Sequence, residues 1–174
     1  MENEKPSSKK IIINYGVILG IISVLLGVVI YVTNTYTDPH WSFTLIGILI
    51  LIAVIVMGIK AYKKSNHGFL ELTDALKIGI GIALIGGIIV VIWSFVLTTV
   101  IEPEYMQNVL DAQREKLLEN PDMTEAMVEQ SMSVMEKMSS PMIGAAFSLI
   151  GNLFLGFIFS LFAGLAMRQK QELY

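Results

Sequence analysis

Apolar residues fall along this chain in four long runs, about Ile11 to Val32, Phe43 to Tyr62, Ala75 to Ile101 and Met142 to Met167. Each is long enough to cross the hydrocarbon core of a bilayer, which takes roughly 20 residues of helix. None carries Asp, Glu, Lys or Arg in its middle; Lys60 and Lys77 lie near run ends, where a long side chain reaches the headgroups. Lipid offers backbone groups no water to bond, so each run is predicted to be a helix, which satisfies them internally. The first run exceeds the roughly 7–15 apolar residues of a cleavable signal segment. The TNTYTDPH that follows it has no small-x-small cleavage site, so an uncleaved anchor is expected.

Between the third and fourth runs the pattern changes. In residues 102–141, Met106, Val109, Leu110, Gln113 and Leu117 recur at helical spacing, with Pro103 suited to the first turn. Asn120-Pro121 breaks that helix. Asp122 with Glu125 three residues on has the form of a capping box for a second helix, whose stripe is Met127, Val128, Ser131, Val134, Met135 and Met138. Ser139-Ser140-Pro141 stops it and starts the fourth span, with Ser140 as cap and Pro141 at the first helical position. Helices this short do not hold their shape alone in water, so the stripes must be covered. Mutual packing as a hairpin is expected; lying on lipid is disfavoured because surface-seeking helices present cations. Met127, Val128, Val134, Met135 and Met138 are the candidates for an interaction surface. The predicted fold is all-α, a single membrane domain over residues 1–174 with four transmembrane helices and an amphipathic helical hairpin between the third and fourth.

Composition agrees: 54% of the 174 residues are hydrophobic and 16% charged, against about 25% charged in soluble domains. Cationic residues set the direction. Lys5, Lys9, Lys10, Lys60, Lys63, Lys64, Lys77, Arg168 and Lys170 flank one side of the spans, and only Arg114, Lys116 and Lys137 the other. The positive-inside rule then puts both termini and the connection at 60–77 in the cytoplasm and the hairpin outside, in an inner (cytoplasmic) membrane. The hairpin stretch holds nine acids and three bases, a formal charge of -6. The whole chain's net charge of -3, with its bases scattered, gives no reason to expect a nucleic-acid partner.

Candidate chemistry is sparse. With no cysteines, disulfides, thiolate metal sites and cysteine nucleophiles are excluded. His40 and His67 fall on opposite sides of the second span and cannot share a metal or a triad. No HExxH, GxSxG or phosphate-cradling loop is present. Met132-x-x-Met135-x-x-Met138 offers soft sulfur ligands, but three-residue steps swing the sulfurs around the helix, and methionine as an adaptable packing residue is the better reading. No cofactor or metal is expected, and no enzymatic activity. In the fourth span Gly144, Ser148, Asn152, Gly156, Ser160 and Gly164 recur every fourth position, a spacing that lets backbones approach closely. Gly79, Ala83 and Gly87 of the third span, and Gly16, Gly20, Ser23 and Gly27 of the first, are the expected counterparts. Asn152 is read as an interhelical hydrogen-bonding residue. The glycine-rich GIGIALIGG of the third span is one place where a helix could bend.

GFLELTDALKIGIGIAL entering the third span, the stretch IEPEYMQNVLDAQREKLLENPDMTEAMVEQSMSVMEKMSSP and the glycine and serine pattern of the fourth span together resemble an uncharacterised family of small bacterial four-helix integral membrane proteins, domain of unknown function 4199. The resemblance implies a four-helix membrane protein and assigns no activity or site residue. The function expected is that of a non-enzymatic envelope or accessory protein. Its partners would be the bilayer and, through the hairpin, either a second copy or another membrane protein. A small transporter or channel subunit, with Asn152 lining a path, is the alternative.

Overall fold

The computed structural model describes residues 7–169. Among them lie α1 (Ser8–Val32), α2 (Trp41–Ser65), α3 (Leu72–Val96), α4 (Tyr105–Glu119), α5 (Glu125–Met138) and α6 (Pro141–Met167). A single π turn, Leu97–Ile101, extends α3. Four of these segments are long and apolar enough to cross a membrane: Ser8–Val32, Trp41–Ser65, Leu72–Ile101 and Pro141–Met167. Several start two or three residues before the apolar runs, because polar first-turn residues such as Ser8, Lys9 and Asp74 are helical without being lipid-soluble. Lys5 and Lys170, two of the flanking cations, lie outside the described residues.

The bundle is organised around α3. Its buried positions Ala75, Ile78, Gly79, Ile82, Ala83, Gly86 and Gly87 follow the helical repeat and alternate small with large. Where α1 meets α3 the notches are reciprocal. A methyl group added at Gly16 would lie 2.6 Å from Ile85 Cβ, and one at Gly86 would lie 2.6 Å from Leu19 Cδ2. Each helix therefore receives the other's branched side chain in a gap left by glycine, which replaces the missing hydrophobic drive with close van der Waals contact. α3 runs unbroken through GIGIALIGG, whose glycines are met by side chains of neighbouring helices. One expectation is corrected here. Gly16, Gly20 and Gly27 of α1 oppose Ile85, Ile89 and Trp93 of α3, not the fourth span.

Large apolar side chains such as Leu25, Ile92 and Phe154 point outward and are more than half exposed, as side chains facing lipid should be. At one end of the bundle, His67 and Gly68 take left-handed backbone angles, φ 55° and 89°, and turn the chain out of α2. Leu70, fully buried, then exchanges both backbone hydrogen bonds with Gln169 (2.9 and 3.0 Å). Lys63 Nζ donates to the Met167 carbonyl at 2.9 Å, placing a cation at the negative end of α6. Together these contacts tie the α2–α3 connection to the end of the last helix.

Candidate functional site

The small-residue ladder of α6 behaves differently along its length. In its C-terminal half it closes on α3. A methyl group at Gly156 would sit 2.5 Å from Ala83 Cβ, and one at Gly164 would sit 2.8 Å from Ala75 Cβ. One at Gly79 would sit 2.2 Å from Cβ of Ser160, which is fully buried. Asn152 marks the upper limit of this contact. Its Nδ2 donates to the Ala83 carbonyl at 2.6 Å and lies against Gly87, a bond between helices. Towards its N-terminus α6 stands off. Gly144, an expected packing position, has nothing within 4 Å of where a Cβ would be, and neither has Gly151. The expected contact at Gly144 is thus corrected: it borders open space, and Ser148, one turn on, does likewise.

The gap so formed is a cleft of about 350 Å³. Val90, Val91 and Phe95 of α3 wall one side and Ala145 and Ser148 of α6 the other, with Met106, Met138 and Pro141 at its mouth. Beneath it a second crevice of about 340 Å³ runs down to Asn152, Leu51 and Leu19. Val90 and Ser148 line both, so the two adjoin. Hydroxyls face this space. Those of Thr98 and Ser139 already donate to the backbone carbonyls of Ser94 and Met135. Among the described residues the side chains of Ser94, Ser140 and Ser148 have no hydrogen-bond partner. Ser140 is the N-cap residue of α6 and Pro141 opens the helix, yet the Ser140 hydroxyl makes no capping bond.

Above the cleft, the π turn and α4 meet the loop between α1 and α2. Tyr31 OH donates to Glu102 Oε2 at 3.0 Å. The ring of Tyr36 stacks on Tyr105 at a centroid distance of 4.6 Å, and Asn108 Nδ2 donates to Tyr36 OH at 3.2 Å. Lys116 pairs with Asp38. Burial, and next the charge of Tyr36, push the Tyr105 phenol above its ordinary value. These residues carried no motif in the sequence. The only signal was tyrosine near the end of a span, at Tyr31, Tyr36 and Tyr105, where its amphipathic ring suits a membrane interface.

The helices of the acidic stretch pack against each other, but α5 differs from expectation in start and orientation. Asp122 is not its cap. The Asp122 N–H is taken by Asn120 Oδ1 (3.0 Å), and Thr124 caps instead, its hydroxyl accepting from Met127 N at 3.4 Å. Pro103 likewise stands in the turn before α4, not in its first turn. Of the interaction candidates, Val128 is 2% exposed and Met135 half-buried; they turn inward with Met132, which the expected stripe omitted. Met127, Val134 and Met138 are 48%, 53% and 46% exposed. At about 100° per residue these three fall within about 40° of one another. They form a second stripe beside the buried one.

No curated protein and no solved structure matches the chain. A family model does, over residues 14–169, which takes in most of α1, all of the other three apolar helices and the acidic stretch between the last two, and the chain therefore belongs to the family described as protein of unknown function (DUF4199).

Proposed function

We propose that this is a non-enzymatic accessory protein of the cytoplasmic membrane, with both termini inside, whose α4–α5 pair stands outside and docks another membrane protein. The observation that carries this reading is the stripe Met127, Val134 and Met138, left exposed on a helix whose other apolar side is already covered. An apolar row next to a well-formed contact is what a docking surface needs, and methionine adapts to a partner's shape. The orientation rests on nine flanking cations against three. A different protein is favoured over a second copy as partner, because two stretches of charge -6 would repel on close approach.

The cysteine-free background makes the test direct. Cysteines introduced singly at Met127 and Val134, crosslinked in native membranes, should trap a discrete heteromeric adduct. Absence of any adduct sinks the proposal, and a homodimer alone replaces the partner with a second copy. A transporter or channel subunit is the alternative, supported by the crevice that reaches Asn152. Below Asn152, however, α6 is closed on α3 through Gly156, Ser160 and Gly164, so conduction would require those helices to part.

A further inference from the structure

We propose that the cleft between α3 and α6 is a binding site for one acyl chain of a membrane amphiphile, held with its polar head at the Ser139–Ser140 rim. This does not depend on the docking role of α5. Three observations support it. The first is shape. From Ser140 to Asn152 is 12 residues of α6, about 18 Å of rise, close to the roughly 15 Å occupied by the acyl chains of one leaflet. The two adjoining cavities follow α6 over that span, as their shared residues Val90 and Ser148 require.

The second is the lining. Val90, Val91, Phe95, Ala145 and Leu155 present methyl and ring carbons along the walls, while uncommitted hydroxyls at Ser140 and Ser94 sit towards the mouth. In the upper cleft an apolar wall below a hydroxyl-bearing rim matches an amphiphile entering from the leaflet on the α4–α5 side; the lower crevice mixes Leu19, Leu51 and Leu155 with Ser23, Thr44, Ser148 and Asn152. At the rim the Ser140 hydroxyl, which makes no capping bond, is free to donate to an ester or carboxylate oxygen. The third is the missing contact. Gly144 and Gly151 leave a gap on a helix whose lower half leaves none, so the void follows from local sequence and not from loose packing of the whole bundle. An empty gap of this size in lipid would forfeit dispersion contacts on both walls. A flexible hydrocarbon chain fills it without moving either helix.

The test is native mass spectrometry of the full chain released from detergent, titrated in separate arms with palmitoyl-oleoyl phosphatidylethanolamine and with oleate. Wild type should retain one molecule of phospholipid, or of oleate if the source is a free fatty acid. Gly144→Leu, whose side chain enters space that is free in the structure, should cut that retention at least tenfold with an unchanged thermal midpoint. Phe154→Leu on the outward face of α6 should retain it like wild type. Saturable binding in neither arm, or equal retention by Gly144→Leu, overturns the proposal. Should Gly144→Leu fail to fold, photocrosslinking wild type with a phospholipid bearing a photoreactive acyl chain decides. Adducts on residues 90–98 and 141–148 support the site; adducts only on outward positions such as Ile150 and Phe154 refute it.

Discussion

Replacing Gly79 by alanine tests whether α3 and α6 are held by backbone proximity. The new Cβ would meet Ser160 Cβ at 2.2 Å, Ser160 Oγ at 2.9 Å and Ile55 Cγ2 at 3.2 Å, so it is hemmed in by two other helices. Ordinary contact begins at 3.4 Å, so α6 must retreat by over 1 Å along a line where Gly156 and Gly164 are also in close contact. Overpacking of this kind costs about 1–3 kcal/mol, and alanine's better helix propensity returns at most about 1 kcal/mol. The expected net loss is about 1–2 kcal/mol, read from the midpoint of chemical unfolding in mixed micelles. Gly144→Ala makes the same change on the part of α6 that stands off from α3, where nothing lies within 4 Å, and should be neutral or slightly stabilising. The sharper check is rescue: adding Ser160→Gly to Gly79→Ala removes the colliding atom and should recover at least half of the loss, a coupling that a double-mutant cycle isolates. Equal effects of Gly79→Ala and Gly144→Ala, or no rescue, would refute the account of the ladder.

Three further outcomes are expected. Asn152→Ala removes the bond to the Ala83 carbonyl and should cost about 0.6 kcal/mol, and no more than about 1.7 kcal/mol, in the same unfolding assay. Thr124→Ala should cost about 0.5–1 kcal/mol and speed amide exchange in the first turn of α5, whereas Asp122→Ala leaves that turn unchanged. The raised Tyr105 phenol keeps its proton in the folded state after an unfolded tyrosine has lost it. Its contribution is therefore intact below about pH 9, and stability falls as pH rises through about 10 and beyond; Tyr105→Phe should make that alkaline decline shallower in thermal melts taken from pH 8 to 11.

The four apolar segments were legible because run length and the absence of central charge are strong constraints in lipid, and the resemblance read from the third span, acidic stretch and fourth span agrees with the family match. Finer features depended on facts that no spacing carries. Asp122 and Glu125 have the form of a capping box, but Asn120 takes the Asp122 N–H first and holds the chain in a turn, which hands the cap to Thr124. The stripe of α5 was read as one broad face. Its neighbour α4 covers only part of it, so Val128 and Met135 went inward while Met127, Val134 and Met138 stayed out. On α6 the ladder repeats evenly in sequence, but contact needs a facing gap. Ala75, Gly79 and Ala83 supply one below Asn152, and the larger Val90, Val91 and Phe95 stand opposite above it. The tyrosine cluster joins residues some seventy positions apart in sequence, a separation over which local pattern says nothing.

The central place of α3 also sets an order of assembly. Synthesis delivers α1, α2 and α3 first, and their mutual notches can close at once. The surface that will receive α6, made of Ala75, Gly79 and Ala83, then stays open while residues 102–167 are translated, about 3–13 s at about 5–20 residues per second. During that interval a nascent three-helix intermediate presents a shallow furrow with no side chains to fill it. A segment of another membrane protein with small residues every fourth position has the shape to lodge there, so the acidic stretch lengthens the time for which the furrow stands open.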